Sequence, residues 1–214
     1  PEYQMVDLPA EFPNPLKILL LASDTPPHIS FVDNEVLAIK DRLEKISREL
    51  EIPIQVTALL SHNADYQTVT NLLETSDFDF IHYAGHYGAA ENQNYLYFRK
   101  NSGQNSQVEA MSLEYFLALT NGNLRFLYIN GCKSFADFSQ LNKILFESST
   151  KKLLAESGLN FIGNMFNADD HGAANFAADF YWHLFSNKFR AATAMYQTRL
   201  QWSQKSLYRE GGYY

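Results

Sequence analysis

The apolar positions of this chain fall into two alternating patterns. Continuous apolar runs have the length and content of strands buried on both faces: LKILLLAS at 16–23, IPIQVTALL at 52–60, FDFIHYAGH at 78–86, LRFLYINGC at 124–132 and LNFIGNMF at 159–166. Between them the apolar residues take helical spacing. The segment 33–51 places Val36, Ile39, Leu43, Ile46 and Leu50 on one stripe, with Asp33 or Asn34 to cap its start. Further helices are predicted over 63–76, 112–123 (with Gly122 suited to ending it), 149–158 (closed by Gly158), 170–188 and 190–208. The run 94–100 and the polar stretch after it predict a small hairpin or excursion, and 133–148 a long irregular segment. Strands alternating with helices predict an α/β fold, a three-layer αβα sandwich with a mainly parallel central sheet. Residues 1–15 hold four prolines and read as an extended lead-in, 16–208 as a single domain and 209–214 as a tail. The first residue is Pro1 rather than Met, which leaves open a longer parent protein.

Composition narrows the classes of function. Hydrophobic residues make up 46% and charged residues 19%, enough for a real core. The formal net charge of −7, with no Lys/Arg cluster, disfavours a nucleic-acid partner. No apolar run approaches the roughly 18 residues that a membrane helix needs, and no signal peptide is visible, so no membrane role is expected. Cys132 is the only cysteine, which excludes a disulfide scaffold and fits a reducing, cytoplasmic setting.

In open parallel sheets, functional groups gather beyond the carboxyl ends of the strands. His86 lies at the end of the third predicted strand and Cys132 at the end of the fourth. If these strands are neighbours, the only cysteine meets a histidine 46 positions away in sequence. A thiol needs a base or a cationic neighbour to become a nucleophile near neutral pH. His86 can fill that role and return the proton to a leaving amine. Backbone N–H groups after His86 and at Cys132 are candidate oxyanion donors. Gly85, Gly88 and Gly131 would let a substrate backbone approach closely. The bland alternative is a buried cysteine acting as a small hydrophobe.

His82, inside the strand, is expected to be a hydrogen-bonded core residue or part of a substrate subsite. A metal site built from His82, His86 and Cys132 is not expected, because strand spacing does not bring the two imidazoles together as a helix would. No cofactor is expected. A nucleotide-binding domain lacks support, since neither a G-x-x-x-x-G-K-[ST] nor a G-x-G-x-x-G sequence follows any strand. His28, His171 and His183 show no evident partners in the sequence, and His183 reads as structural.

The segments DFDFIHYAGHYG, LRFLYINGCKS and the stretch from Gly158 to Leu200 together resemble the CHAT domains. These are the bacterial branch of the caspase-like cysteine peptidases, beside caspases, separases, paracaspases and gingipains. The resemblance covers about residues 16–200 and rests on the order and spacing of its parts. It implies a caspase-like fold and a cysteine endopeptidase in which His86 is the acid–base and Cys132 the nucleophile. Backbone amides of Tyr87 and Cys132 would hold the oxyanion. His82 matches a frequent non-catalytic strand histidine. Asp170, with Asp169 beside it, matches an acidic residue of the pocket for the residue before the scissile bond; Asp170 could equally cap the helix it opens. Two departures stand out: Tyr87 replaces the usual Gly, and the segment after Cys132 lacks the usual short acidic, glycine-rich sequence. The resemblance further implies a specific protein substrate, such as a gasdermin in a bacterial defence or signalling system. It also implies control by an attached repeat or sensor domain, with the 133–148 loop as a gate. The alternative on the same fold is a catalytically silent scaffold that binds a partner protein.

Overall fold

The computed structural model describes residues 14–29, 31–90, 93–100, 107–120, 122–132, 159–163 and 170–207. The predicted helix 149–158, the 133–148 loop, Asp169, and nearly all of the lead-in and tail lie outside these residues. The order of elements is β1 (Leu16–Ser23), α1 (Val32–Glu49), β2 (Ile54–Leu59), α2 (Tyr66–Thr75), β3 (Phe80–Ala90), β4 (Gln93–Arg99), β5 (Val108–Ser112), α3 (Leu113–Leu119), β6 (Phe126–Cys132), β7 (Asn160–Gly163), α4 (Asp170–Ser186) and α5 (Ala191–Leu207).

The seven strands form one sheet. β2, β1, β3, β6 and β7 run parallel in that order; β4 adds antiparallel to the far half of β3, and β5 antiparallel to β4. Alternate strand residues feed two separate cores. On one face Ile18, Leu20, Phe80, Phe126 and Tyr128 pack against α1, α4 and α5. On the other Leu19, Leu21, Ile81, Tyr83, Leu127 and Ile129 pack against α2 and α3. The molecule is therefore the three-layer αβα sandwich that the runs of apolar residues predict. β1 shows the reason most clearly, because after Lys17 every residue of it is buried, as a strand covered on both faces must be.

Several boundaries differ from the sequence reading, each for a local reason. α1 starts at Val32, after Phe31, and its first residue has no side-chain cap. Asp33 instead reaches across to Ser61, accepting from the backbone N–H at 2.7 Å and the hydroxyl at 2.8 Å. α2 begins three residues late because Asp65 caps it, accepting from Thr68 N at 2.9 Å. α3 ends at Leu119, ahead of Gly122, which takes its φ of 72° in the turn beyond. β3 does not stop at His86 but continues to Ala90. Gly88, expected to let a substrate backbone approach closely, makes room within the sheet: a Cβ there would lie 2.7 Å from the Tyr97 hydroxyl of β4. The 94–100 excursion is the central strand of this antiparallel ribbon.

Candidate active site

The last register row of the parallel sheet brings the two candidate groups together. Ser23, Gly85 and Gly131 are aligned across β1, β3 and β6, and one step further His86 is the Cα partner of Cys132. Neighbouring strands lie about 4.8 Å apart, so these two backbones are adjacent. His86 is also where β3 changes partner: the next residue, Tyr87, pairs antiparallel with Leu96. The site thus sits at a fork, where β3 leaves the parallel sheet for the ribbon.

The imidazole of His86 is half-buried and fixed through one nitrogen. Its Nε2 lies 2.6 Å from the Pro27 carbonyl and 3.1 Å from the Thr25 carbonyl. Carbonyl oxygens only accept, so this network assigns the ring proton of the neutral form to Nε2. Nδ1 keeps its lone pair, and no described residue bonds to it. The main chain of His86 is held as well. The fully buried Tyr83 hydroxyl lies 2.7 Å from the His86 carbonyl and 2.8 Å from that of Tyr97. Burial pushes the ionisation of Tyr83 far above its usual range, which keeps it a donor.

Tyr83 also explains Gly85. A Cβ at this position would fall 2.6 Å from the Tyr83 hydroxyl and 2.8 Å from the Ser23 carbonyl. On that side the absent side chain makes room for the protein itself, not for a substrate. Gly85→Ala should therefore cost about 1–3 kcal/mol by overpacking. A urea-unfolding free energy within 0.5 kcal/mol of the parent would show instead that the Tyr83 ring can move aside.

His82 is fully buried and belongs to a polar network under the site. Its Nε2 lies 2.8 Å from Glu35 Oε1, and its Nδ1 3.3 Å from the Tyr181 hydroxyl. The ring stacks on Tyr128 at 4.7 Å. The same Glu35 oxygen accepts from Asn130 Nδ2 at 2.6 Å. Burial, with smaller contributions from neighbours that include Glu35, raises the ionisation of both Tyr128 and Tyr181. Glu35 lies in the first turn of α1, where the helix dipole favours a carboxylate. Of the two roles expected for His82, the geometry displays a hydrogen-bonded core residue.

A small recess of about 10 Å³, room for roughly one water, opens beside this network between the start of α1, Gly85, Asn130 and Ala173. Glu35 lines it, and among the described residues nothing donates to Glu35 Oε2.

The remaining candidates are placed unevenly. Tyr87 buries its side chain in the α2/α3 core, so only its main chain can serve a substrate. Asp170 is the first residue of α4, and Ala173 one turn later lines the recess. The side chains of Cys132, Asp170 and His171 lie outside the described residues. His28 does have a partner, Asp24 at 3.0 Å, and so does His183, Gln201 at 2.8 Å. Among the described residues no group of three His, Cys, Asp or Glu side chains is placed to hold a metal ion, and no helix is long and apolar enough to cross a membrane.

Sequence reasoning missed Glu35, Asn130 and Tyr83. A signal existed for the first two. Glu35 interrupts the otherwise apolar stripe of α1, and Asn130 the apolar run of β6.

The parallel-sheet sandwich, with His86 and Cys132 in register on neighbouring strands, agrees with a caspase-like fold, the fold of the family that the chain matches. The CHAT domain family matches residues 14–210, and the chain belongs to that family. A search of curated proteins finds no match.

Proposed function

We propose that this chain is a cysteine endopeptidase that works through Cys132 and His86. The observation that carries the reading is the single-sided tethering of His86. Nε2–H is committed to two carbonyls, and no described residue bonds to the basic Nδ1, one strand from Cys132. Residues in register on parallel strands share a face of the sheet, the relation a thiol–imidazole pair requires.

In this scheme Nδ1 takes the thiol proton and the Cys132 sulfur attacks the scissile carbonyl. The oxyanion of the tetrahedral intermediate accepts from the backbone N–H groups of Tyr87 and Cys132. Nδ1–H then protonates the leaving amine as the C–N bond breaks, giving a thioester. Water, deprotonated by the same nitrogen, hydrolyses the thioester and restores the thiol.

The residue before the cleaved bond is read as Lys or Arg. The resemblance supports this through Asp170, the first residue of α4, and its sequence neighbour Asp169, since a desolvated carboxylate favours a charge-assisted donor. The likeness to caspase-like peptidases supports a specific protein substrate, gasdermin-like in a bacterial defence setting, and control by an attached repeat or sensor domain.

The test is hydrolysis of a peptide library varied at the residue before the scissile bond, comparing the parent chain with Cys132→Ala. Cleavage after Lys or Arg that vanishes in the variant is the expected result. Efficient cleavage after Leu or Asp but not after Lys or Arg would overturn the pocket assignment. A Cys132 that neither cleaves nor reacts with an electrophilic peptide would indicate the silent scaffold.

A further inference from the structure

The ring of His86 is held by the main chain of a loop. Residues 24–29 follow β1, and both acceptors of Nε2, the carbonyls of Thr25 and Pro27, lie in this stretch. The loop is not at ease by itself. Thr25 is fully buried, yet among the described residues its hydroxyl finds no partner. An unmade bond of that kind costs about 1–3 kcal/mol, so something else must hold the loop in place.

Asp24 closes the loop from within. Its Oδ1 accepts from the Ile29 N–H at 2.8 Å, and its Oδ2 lies 3.0 Å from His28 Nδ1. Arg99, at the end of β4, grips Asp24 from outside. Its Nε donates to the Asp24 main-chain carbonyl at 3.0 Å, and its Nη2 lies 3.6 Å from Asp24 Oδ2. One guanidinium therefore holds both the backbone and the side chain of the residue that leads into the loop. The two side chains are only 21% and 20% exposed, so solvent screens the pair less than it would a surface bridge.

We infer that Arg99 is a positioning residue for the reaction: by clamping Asp24 it fixes the 24–29 carbonyls that set the orientation and tautomer of His86. The inference rests on the reading of His86 as the acid–base. A planar fork with fixed donor directions suits this task, and a lysine offers one point charge in its place. If the clamp is released, the carbonyls drift and the imidazole turns about its own bond. A misplacement of about 1 Å in a reacting group costs about a hundredfold in rate.

The test compares the 214-residue chain with its Arg99→Met and Arg99→Lys variants, by two readouts. The first is steady-state cleavage of the best library peptide. The second is ¹⁵N NMR of the histidine-labelled protein, which reports which ring nitrogen of His86 carries the proton. Arg99→Met should lower kcat by about 10- to 100-fold with KM within about twofold, and should mix the Nδ1–H tautomer into the His86 signal. Arg99→Lys should recover part of both effects. A folded Arg99→Met protein with unchanged kcat and an unchanged His86 tautomer overturns the inference. So does a kcat loss that only follows the folded fraction while the tautomer stays fixed. A parent chain that shows neither cleavage nor thiol labelling overturns the peptidase reading instead, and the NMR comparison then decides by itself whether Arg99 sets the ring.

Discussion

Replacing His86 by alanine is expected to cut kcat/KM by about 10³- to 10⁴-fold while leaving the protein folded. The half-buried ring bonds to two loop carbonyls and, among the described residues, stacks on no aromatic ring. Its loss removes about 1 kcal/mol of net hydrogen bonding, small against the stability of a domain this size. The chemistry suffers far more. In the proposed mechanism the loss of Nδ1 leaves the thiol without an acceptor for its proton at neutral pH, and the leaving amine without a donor. Alkylation of Cys132 by iodoacetamide at neutral pH should slow in parallel, because only the thiolate reacts. Cleavage within tenfold of the parent, in a protein with normal thermal unfolding, would remove His86 from the mechanism.

Glu35→Ala is expected to do the reverse and act first on stability. It should cost about 3–5 kcal/mol. The alanine removes the carboxylate that both His82 Nε2 and Asn130 Nδ2 bond to in a buried place, and opens a void next to Tyr128 and Tyr181. For a chain of 214 residues that predicts a fall in Tm of about 10 °C. Glu35→Gln retains a carbonyl oxygen and should lose less than half as much. His82→Ala should resemble Glu35→Ala, since it strands the carboxylate in the same buried place. The contrast between His82 and His86, four residues apart on one strand, can be read from a single set of melting curves and rate assays. A Glu35→Ala unfolding free energy within 1 kcal/mol of the parent would mean that water enters the recess and satisfies the orphaned donors.

The contrast also marks where the sequence is informative. Both histidines stand in an apolar run, and the run alone gives the strand, its burial and its place in a parallel sheet. The pairing of His86 with Cys132 follows from two strand ends being adjacent, which the alternation of strands and helices implies. The continuation of β3 past His86 was not legible, because Gly88 has the same letter in a turn as in a strand that must pass under the Tyr97 ring. Glu35 was legible only as an irregularity: a carboxylate on the apolar stripe of α1 is a question that its buried donors, His82 and Asn130, answer. Asp24 and Arg99 lie 75 positions apart and carry no motif, so only the folded chain shows that they meet.

The groups that aim His86 have a property that no side chain has. Every amino acid carries a carbonyl, so an alanine scan through Thr25, Pro26 and Pro27 passes over the two acceptors without removing either. Substitutions there can alter how firmly the loop sits, yet the oxygens remain. Weakening or moving them takes a change to the main chain itself, such as an ester in place of a peptide bond, whose carbonyl is a poorer acceptor, or an inserted residue that shifts the loop. The orienting half of the site is thus written in the path of the backbone. Chains that differ at all three positions can aim the same imidazole equally well, provided that Asp24 keeps its hold on Ile29 and Arg99 its hold on Asp24.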